Sequence, residues 1–95
     1  MAREVRIAML ENWSIMTEMS CGGDYLAPQG TVWDHPNFRN GDWVTPGTFA
    51  SFDVETMTGI SISGRQWMLG DFVPTGNVPT LEDAITFIQT RWVKK

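Results

Sequence analysis

The chain has 95 residues, of which 42% are hydrophobic, 12% aromatic and 19% charged, and its formal net charge is −4. This length predicts one domain over residues 1–95 with a compact core, and the apolar share excludes a disordered chain. Seven Lys and Arg residues scattered along the sequence are too few and too dispersed to neutralise a phosphate backbone, so no nucleic acid is expected as a partner.

A protein with a basic surface is the electrostatically favoured partner for a chain of pI about 4.7. No stretch approaches the ~20 apolar residues of a membrane span, so no membrane partner is expected. The opening residues, MAREVRIAMLENW, are charged from the third position and do not resemble a signal peptide. One cysteine, Cys21, permits no internal disulfide. Together these features point to a cytoplasmic protein.

Val5, Ile7 and Met9 alternate with Arg6 and Ala8, and Trp13, Ile15, Thr17 and Met19 alternate with Ser14, Met16 and Glu18. A period of two predicts strand over residues 4–20 in preference to a helix. Glu11-Asn12 separates the two runs and predicts a turn or bulge that shifts their phase. Residues 20–30, SCGGDYLAPQG, carry three glycines, a proline and an aspartate and read as a loop. Thr31–Trp33 starts a short strand. Asn40-Gly41 is a reversal signal, and Trp43 and Val44 begin the returning strand.

Pro46-Gly47 interrupts that strand and suits an edge or bulge. Residues 48–54 alternate again, residues 56–59 (TMTG) mark a reversal, and ISIS followed by Gly64-Arg65 and QWML predicts a tight hairpin or one bulged strand. Residues 70–79 form a loop. A helix is predicted over residues 80–92. Thr80 and Asp83 form a capping-box-like pair, Glu82 and Asp83 sit at the positive end of the dipole, and Arg91, Lys94 and Lys95 at the negative end. Leu81, Ala84, Ile85, Ile88 and Trp92 make one apolar stripe. The predicted fold is therefore α+β and mostly β. It is a small bent antiparallel sheet or SH3-like barrel of five to six short strands (1–79) with one C-terminal helix (80–93).

Few constellations suggest chemistry. His35 is the only histidine. Its neighbour Asp34 points to the opposite side of an extended backbone, which leaves Asp42 or Asp53 as possible orienting carboxylates. The simplest role for His35 is a bond to backbone at the strand-to-turn junction before Pro36. One His and one Cys cannot complete a structural zinc site, so no metal and no cofactor are expected. Cys21 lies in a glycine-rich stretch with no cation near it in sequence and is not marked as a nucleophile. Glu18 with Asp24, Asp42 with Asp53, and Glu82 with Asp83 have no spacing that implies acid–base work. No catalytic residue is assigned, and the chain is read as non-enzymatic.

The five tryptophans, Trp13, Trp33, Trp43, Trp67 and Trp92, fall one per element, and four of the six methionines lie in the first nineteen residues. Tryptophan supplies core volume or an interface anchor, and methionine adds adaptable surface.

The stretches VWDHPNFRNGDWVTPGTF and VETMTGISISGRQWMLG resemble a run in small bacterial proteins carried on mobile elements such as integron cassettes and prophages. His35, Pro36, Phe38, Gly41, Val44, Ser63, Gly64, Trp67, Leu69 and Gly70 fit that pattern, while Pro46-Gly47 departs from it. The resemblance implies a small β-rich domain in an accessory gene and brings no activity with it. Mechanically, the same motif reads as a hairpin in which Phe38 folds back as an apolar plug.

The expected function is a binding or interaction module that self-associates as a homodimer. The free sheet edge is placed at the N-terminal run, with Trp13, Ile15 and Met19 at the interface. Trp33, His35, Trp43 and Trp67 are further candidates for an interface or ligand surface. The alternative is a small-molecule-binding protein with a pocket lined by Trp and Met.

Overall fold

The computed structural model describes residues 7–20 and 23–94, with the side chains of residues 19, 20 and 24 outside that description. Six strands, β1 (Ala8–Ser20), β2 (Gly23–Trp33), β3 (Trp43–Val44), β4 (Phe49–Asp53), β5 (Thr58–Ser61) and β6 (Gln66–Leu69), precede a helix α1 (Leu81–Phe87) that continues as a π-helical turn, Ile88–Trp92. The fold is mostly β with one C-terminal helical segment, as the sequence predicts. The strands form one sheet in the order β3-β2-β1-β6-β5-β4. All neighbours are antiparallel except β1 and β6, which run parallel through Ala8–Trp67, Met9–Met68 and Leu10–Leu69.

The sheet is strongly bent but does not close into a barrel. Its bend follows from connectivity. β3 and β4 are the two edges, and a flat sheet would separate them by five strand spacings, about 24 Å. Only residues 45–48 join them, a link that reaches roughly 18 Å at full stretch. The edges are therefore drawn toward each other, and Pro46, expected at an edge or bulge, lies fully buried in the link between the two edge strands.

The β1 run behaves as its sequence suggests at one point and not at others. The Cα register with β2 shifts between Glu11 and Ser14, and Asn12 takes φ 51°, a left-handed conformation that asparagine tolerates. Asn12 and Trp13 thus oppose Gly30 alone, which is a β-bulge. The bulge resets the alternation, so Ala8 and Leu10 before it and Trp13 and Ile15 after it all face the core. Ile7 is exposed, so the first run presents Ala8 and Leu10 inward and not Ile7; Val5 lies outside the described residues. Gly30 has no room for a side chain. A Cβ there would lie 2.9 Å from Glu11 O and from Leu10 Cγ and 3.0 Å from Trp13 Cα.

Residues 23–30, expected as loop, belong to β2. Leu26, Pro28, Gly30 and Val32 share the inner face, and Pro28, paired with Ile15, is fully buried. Pro28 is tolerated because β3 pairs only with Gly30 and Thr31, so β2 has no outer partner at the proline.

Trp13 joins the sheet to the segment after β6. Its indole Nε1 donates to Gly70 O at 2.8 Å, its backbone N–H donates to Asp71 O at 3.0 Å, and its carbonyl accepts from Val73 N–H at 2.7 Å. Its ring packs on Phe72 with centroids 5.0 Å apart. Beyond Trp13, Thr75 Oγ1 donates to Ile15 O. The remaining ends of β1 and β2 continue as a two-stranded arm. Thirteen residues in β1 extend about 43 Å, which accounts for the 46 Å long axis of a molecule 26 Å across in the other two directions.

At the helix, Asp83 N–H donates to Thr80 Oγ1 at 3.1 Å, the expected N-cap. The predicted apolar stripe is partly corrected: Ala84, Ile88 and Trp92 are buried, but Leu81 is 44% exposed and Ile85 is half-buried. The α-helix stops at Phe87, and the wider π turn brings Ile88 and Trp92, four residues apart, toward one side. Val93 then bridges Phe49, and Lys94 N–H donates to Phe49 O at 2.9 Å, which covers the start of the β4 edge. Fourteen buried apolar side chains from both the sheet and the helical segment form one core cluster. Among the described residues no helix is long and apolar enough to cross a membrane.

Gly30→Ala is expected to cost about 2–3 kcal/mol, because the new methyl meets backbone atoms that cannot turn aside. Gly47→Ala, where nothing lies within 4 Å, should be close to neutral. Urea midpoints of the two variants check this directly.

Candidate functional site

The predicted interface residues divide by burial. Trp13 and Ile15 are 0% exposed and Trp67 is 3% exposed, so all three are core and none is available to a partner. In the sheet order β1 lies between β2 and β6, and β6 pairs with it over Ala8–Leu10, so that stretch is not a sheet edge. The expected dimer interface through Trp13 and Ile15 is therefore corrected. The side chain of Met19 and all of Cys21 lie outside the described residues. Trp33 and Trp43 are exposed, at 39% and 53%, and His35 is half-buried.

His35 sits in the loop between β2 and β3. The loop is tied at its neck by Val32 N–H to Asp42 O and by Gly41 N–H to Val32 O, both 2.8 Å. Asp34, at φ 63°, donates its N–H to Asn40 Oδ1 at 2.9 Å. His35 Nδ1 accepts the Asn37 N–H at 3.0 Å, which is the backbone bond expected of it. Neither proposed carboxylate orients the ring: Asp42 Oδ2 accepts from Arg39 N–H, and Asp53 Oδ1 accepts from Glu55 N–H. Phe38 is not a buried plug. It is 43% exposed and lies against His35 at 4.7 Å between centroids, while His35 in turn covers Trp67 at 5.2 Å.

A notch of about 380 Å³ beside this stack is lined by His35, Asn37, Ser63, Gly64 and Arg65. Several of its polar groups are already engaged within the chain. Ser63 Oγ bonds Ser61 Oγ at 2.9 Å, and Arg65 N–H donates to Ser61 Oγ at 3.0 Å. Partial burial, and secondarily the positive charge of Arg65, lower the His35 pKa below its ordinary 6.5.

Trp43 belongs to a separate network on the outer face. Its Nε1 donates to Gln29 Oε1 at 2.9 Å, Gln29 Nε2 donates to Glu18 Oε2 at 2.9 Å, and Thr45 Oγ1 donates to the same oxygen at 3.2 Å. Gln29 is 7% exposed, and its bonds at both ends satisfy a buried amide. The network holds β3 to the arm and consumes its own polar groups.

A larger concavity lies elsewhere. Thr17 and Leu26 on the arm, with Tyr25, face Phe87, Arg91 and Trp92 on the helical segment across a groove of about 630 Å³. Tyr25 and Trp92 lie nearly parallel, 18° apart with centroids at 6.4 Å. Trp92 is 9% exposed, and its indole Nε1, sealed from solvent, has no hydrogen-bond acceptor; it is the only such buried side-chain atom among the described residues. Arg91 is exposed and makes no ion pair with any described residue. The lining combines aromatic side chains with the Arg91 cation, which has no ion-pair partner among the described residues.

Four of the six lining residues were not candidates on sequence grounds in any form. Tyr25 and Leu26 were hidden in a stretch that reads as loop, although Leu26, Pro28, Gly30 and Val32 alternate with Tyr25, Ala27, Gln29 and Thr31, the period-two signal that would have revealed the strand. Phe87 is absent from the expected stripe, and Thr17 reads only as strand. In sequence, Trp92 fits a core position or an interface anchor, and Arg91 a partner of the helix dipole. Among the described residues no group of three or more His, Cys, Asp or Glu side chains is placed to hold a metal ion. No family model, curated protein or solved structure matches this chain.

The lowered His35 pKa has a definite sign. The unfolded chain takes up the proton first as pH falls, so stability is unaffected well above 6.5 and declines as pH drops below it toward the folded value. The His35 imidazole titration followed by NMR should have its midpoint below 6.5, and His35→Gln should reduce the acid-side loss of stability. A midpoint at or above 6.5 contradicts the packing described.

Proposed function

We propose that the protein is a non-catalytic binding module that takes a small ligand in the groove between the β1–β2 arm and the C-terminal helical segment. The observation that carries this reading is the concavity walled by Tyr25, Leu26, Phe87 and Trp92, the last of which carries a buried indole N–H with no acceptor among the described residues. An unpaired buried donor costs about 1–3 kcal/mol, and a bound molecule that brings an acceptor removes that cost. The volume, about 630 Å³, falls within the roughly 300–1,000 Å³ typical of small-molecule sites. The π turn that presents Trp92 is a feature often found at functional positions. The pocket-lining set differs from the Trp and Met lining expected from the sequence, for it contains Trp92 and no methionine. The non-catalytic reading draws support from His35, Asp42 and Asp53, each of which already serves its own turn.

A second reading, self-association, is favoured by the uncovered sheet face. Trp33 stands opposite Met9, Met9 stands beside Met68, and Ile60 lies two residues beyond the partner of Met68, so their side chains share one face. Trp33 and Ile60 are exposed at 39% and 36%. A second copy meeting this row face to face would cover it, and the homodimer interface would then run through Trp33 in place of Trp13.

For the groove, a panel of small aromatic acids, amides and amines titrated into ¹⁵N-labelled protein should shift the Trp92 indole cross-peak together with the amides of Leu26 and Arg91. Shifts confined to another surface, or none at all, end the groove reading. For self-association, sedimentation at low micromolar concentration should give a dimer for the wild type and a monomer for Trp33→Glu; a monomeric wild type removes that reading.

A further inference from the structure

We infer that the groove selects a flat aromatic molecule carrying a carboxylate, and discriminates against neutral and cationic molecules of the same shape. The inference rests on the groove being a binding site and names what it binds. The described lining side chains with polar groups are Thr17, Tyr25, Arg91 and Trp92, and no carboxylate is among them. Arginine and indole N–H groups can only donate, and the two hydroxyls can donate or accept. A ligand rich in acceptors satisfies such a site, and one rich in donors does not.

Local charge points the same way, against the overall −4 of the chain: Arg91 is a cation without a partner among the described residues. Its planar guanidinium matches a carboxylate with two parallel bonds. The body of the ligand is set by the walls. Phe87, Leu26 and the near-parallel rings of Tyr25 and Trp92 offer apolar and π surface, which suits a ring more than a branched or strongly hydrated group. The Trp92 donor is buried, so an occupant reaches it by displacing a wall residue. Tyr25, 45% exposed, is the wall residue that stacks on Trp92. A shift of the Tyr25 ring on binding would open a path by which the indole N–H gains an acceptor.

The probes are 2-naphthoate, 2-naphthamide and 2-naphthylmethylamine, which share one ring system and differ in charge. Each is titrated into ¹⁵N-labelled wild type and Arg91→Gln, the latter at an exposed position that leaves the core untouched. In the wild type, 2-naphthoate should bind at least about threefold more tightly than the amide, the scale of an exposed ion pair, and should shift the Trp92 indole cross-peak. Arg91→Gln should lose that preference for the acid, about threefold or more, and leave the amide unchanged. If the amide or the amine binds as well as the acid while still shifting Trp92, the selectivity is wrong and the groove stands. If none of the three perturbs Trp92 or Leu26 at millimolar concentration, both the selectivity and the groove reading fall.

Discussion

The extra residue at Asn12 governs the rest of the molecule. Strand side chains alternate with period two, so an unbroken β1 could not point Leu10 and Trp13 to the same side. With Asn12 at φ 51° and the register shifted against β2, both halves of β1 turn their apolar residues inward. The same bulge places Trp13 where its indole reaches Gly70 and its backbone engages Asp71 and Val73. That clasp fixes the segment leading to the helix, and the helix can then cover the sheet through Ala84, Ile88 and Trp92. Gly30 belongs to the same arrangement, because the strand opposite the bulge approaches too closely for any side chain.

The groove arises from a mismatch of lengths. β1 and β2 extend past the last strand that pairs with the far side of β1, while the chain returns as a short α-helix and a π turn. The helical segment crosses the arm without filling the space beside it. Trp92 thus does two things at once: one part of its ring closes the core, and the other walls the opening. A residue with a single polar atom is well suited to that position when the atom has a partner, and costly when it lacks one. The contrast with Trp13 and Trp43 is informative, since their indole nitrogens are bonded to Gly70 and Gln29 at 2.8 and 2.9 Å.

How much of this was legible in the sequence depended on whether local signals were decisive. The bulge, the Asn40-Gly41 reversal, the tight turn at Gly64 (φ 94°) and the Thr80 cap each follow from chemistry within a few residues, and each is present. Residues 23–30 misled because glycine and proline density outweighed a real alternation; Pro28 survives in a strand only because β3 is two residues long, a tertiary circumstance no local rule reports. The edge assignment failed for a similar reason. Pairing order is set by β6 returning parallel to β1, and that places the N-terminal strand in the middle. Of the proposed surface residues, Trp33, Trp43 and His35 are accessible, whereas Trp13, Ile15 and Trp67 were drawn inward by the phase of their strands. The groove itself was invisible in advance, since it joins the arm to the last turn of the chain.

The parallel pairing of β1 with β6 also sets an order of events in folding. The β1–β2 hairpin and the β4–β5–β6 meander are built from contacts between sequence neighbours and need only short loops to close. Joining them does not: the Trp13–Gly70 bond alone spans 57 residues, and long-range closure is entropically slow relative to local hairpins. During synthesis the hairpin can therefore form early, with the inner faces of Leu10, Trp13 and Ile15 bare, while the strand and helix that cover them are still being made. Docking of the two β units closes the longest loop in the fold and is therefore the step that topology makes slowest; until it is complete the bare apolar faces are open to wrong pairings with other copies of the chain.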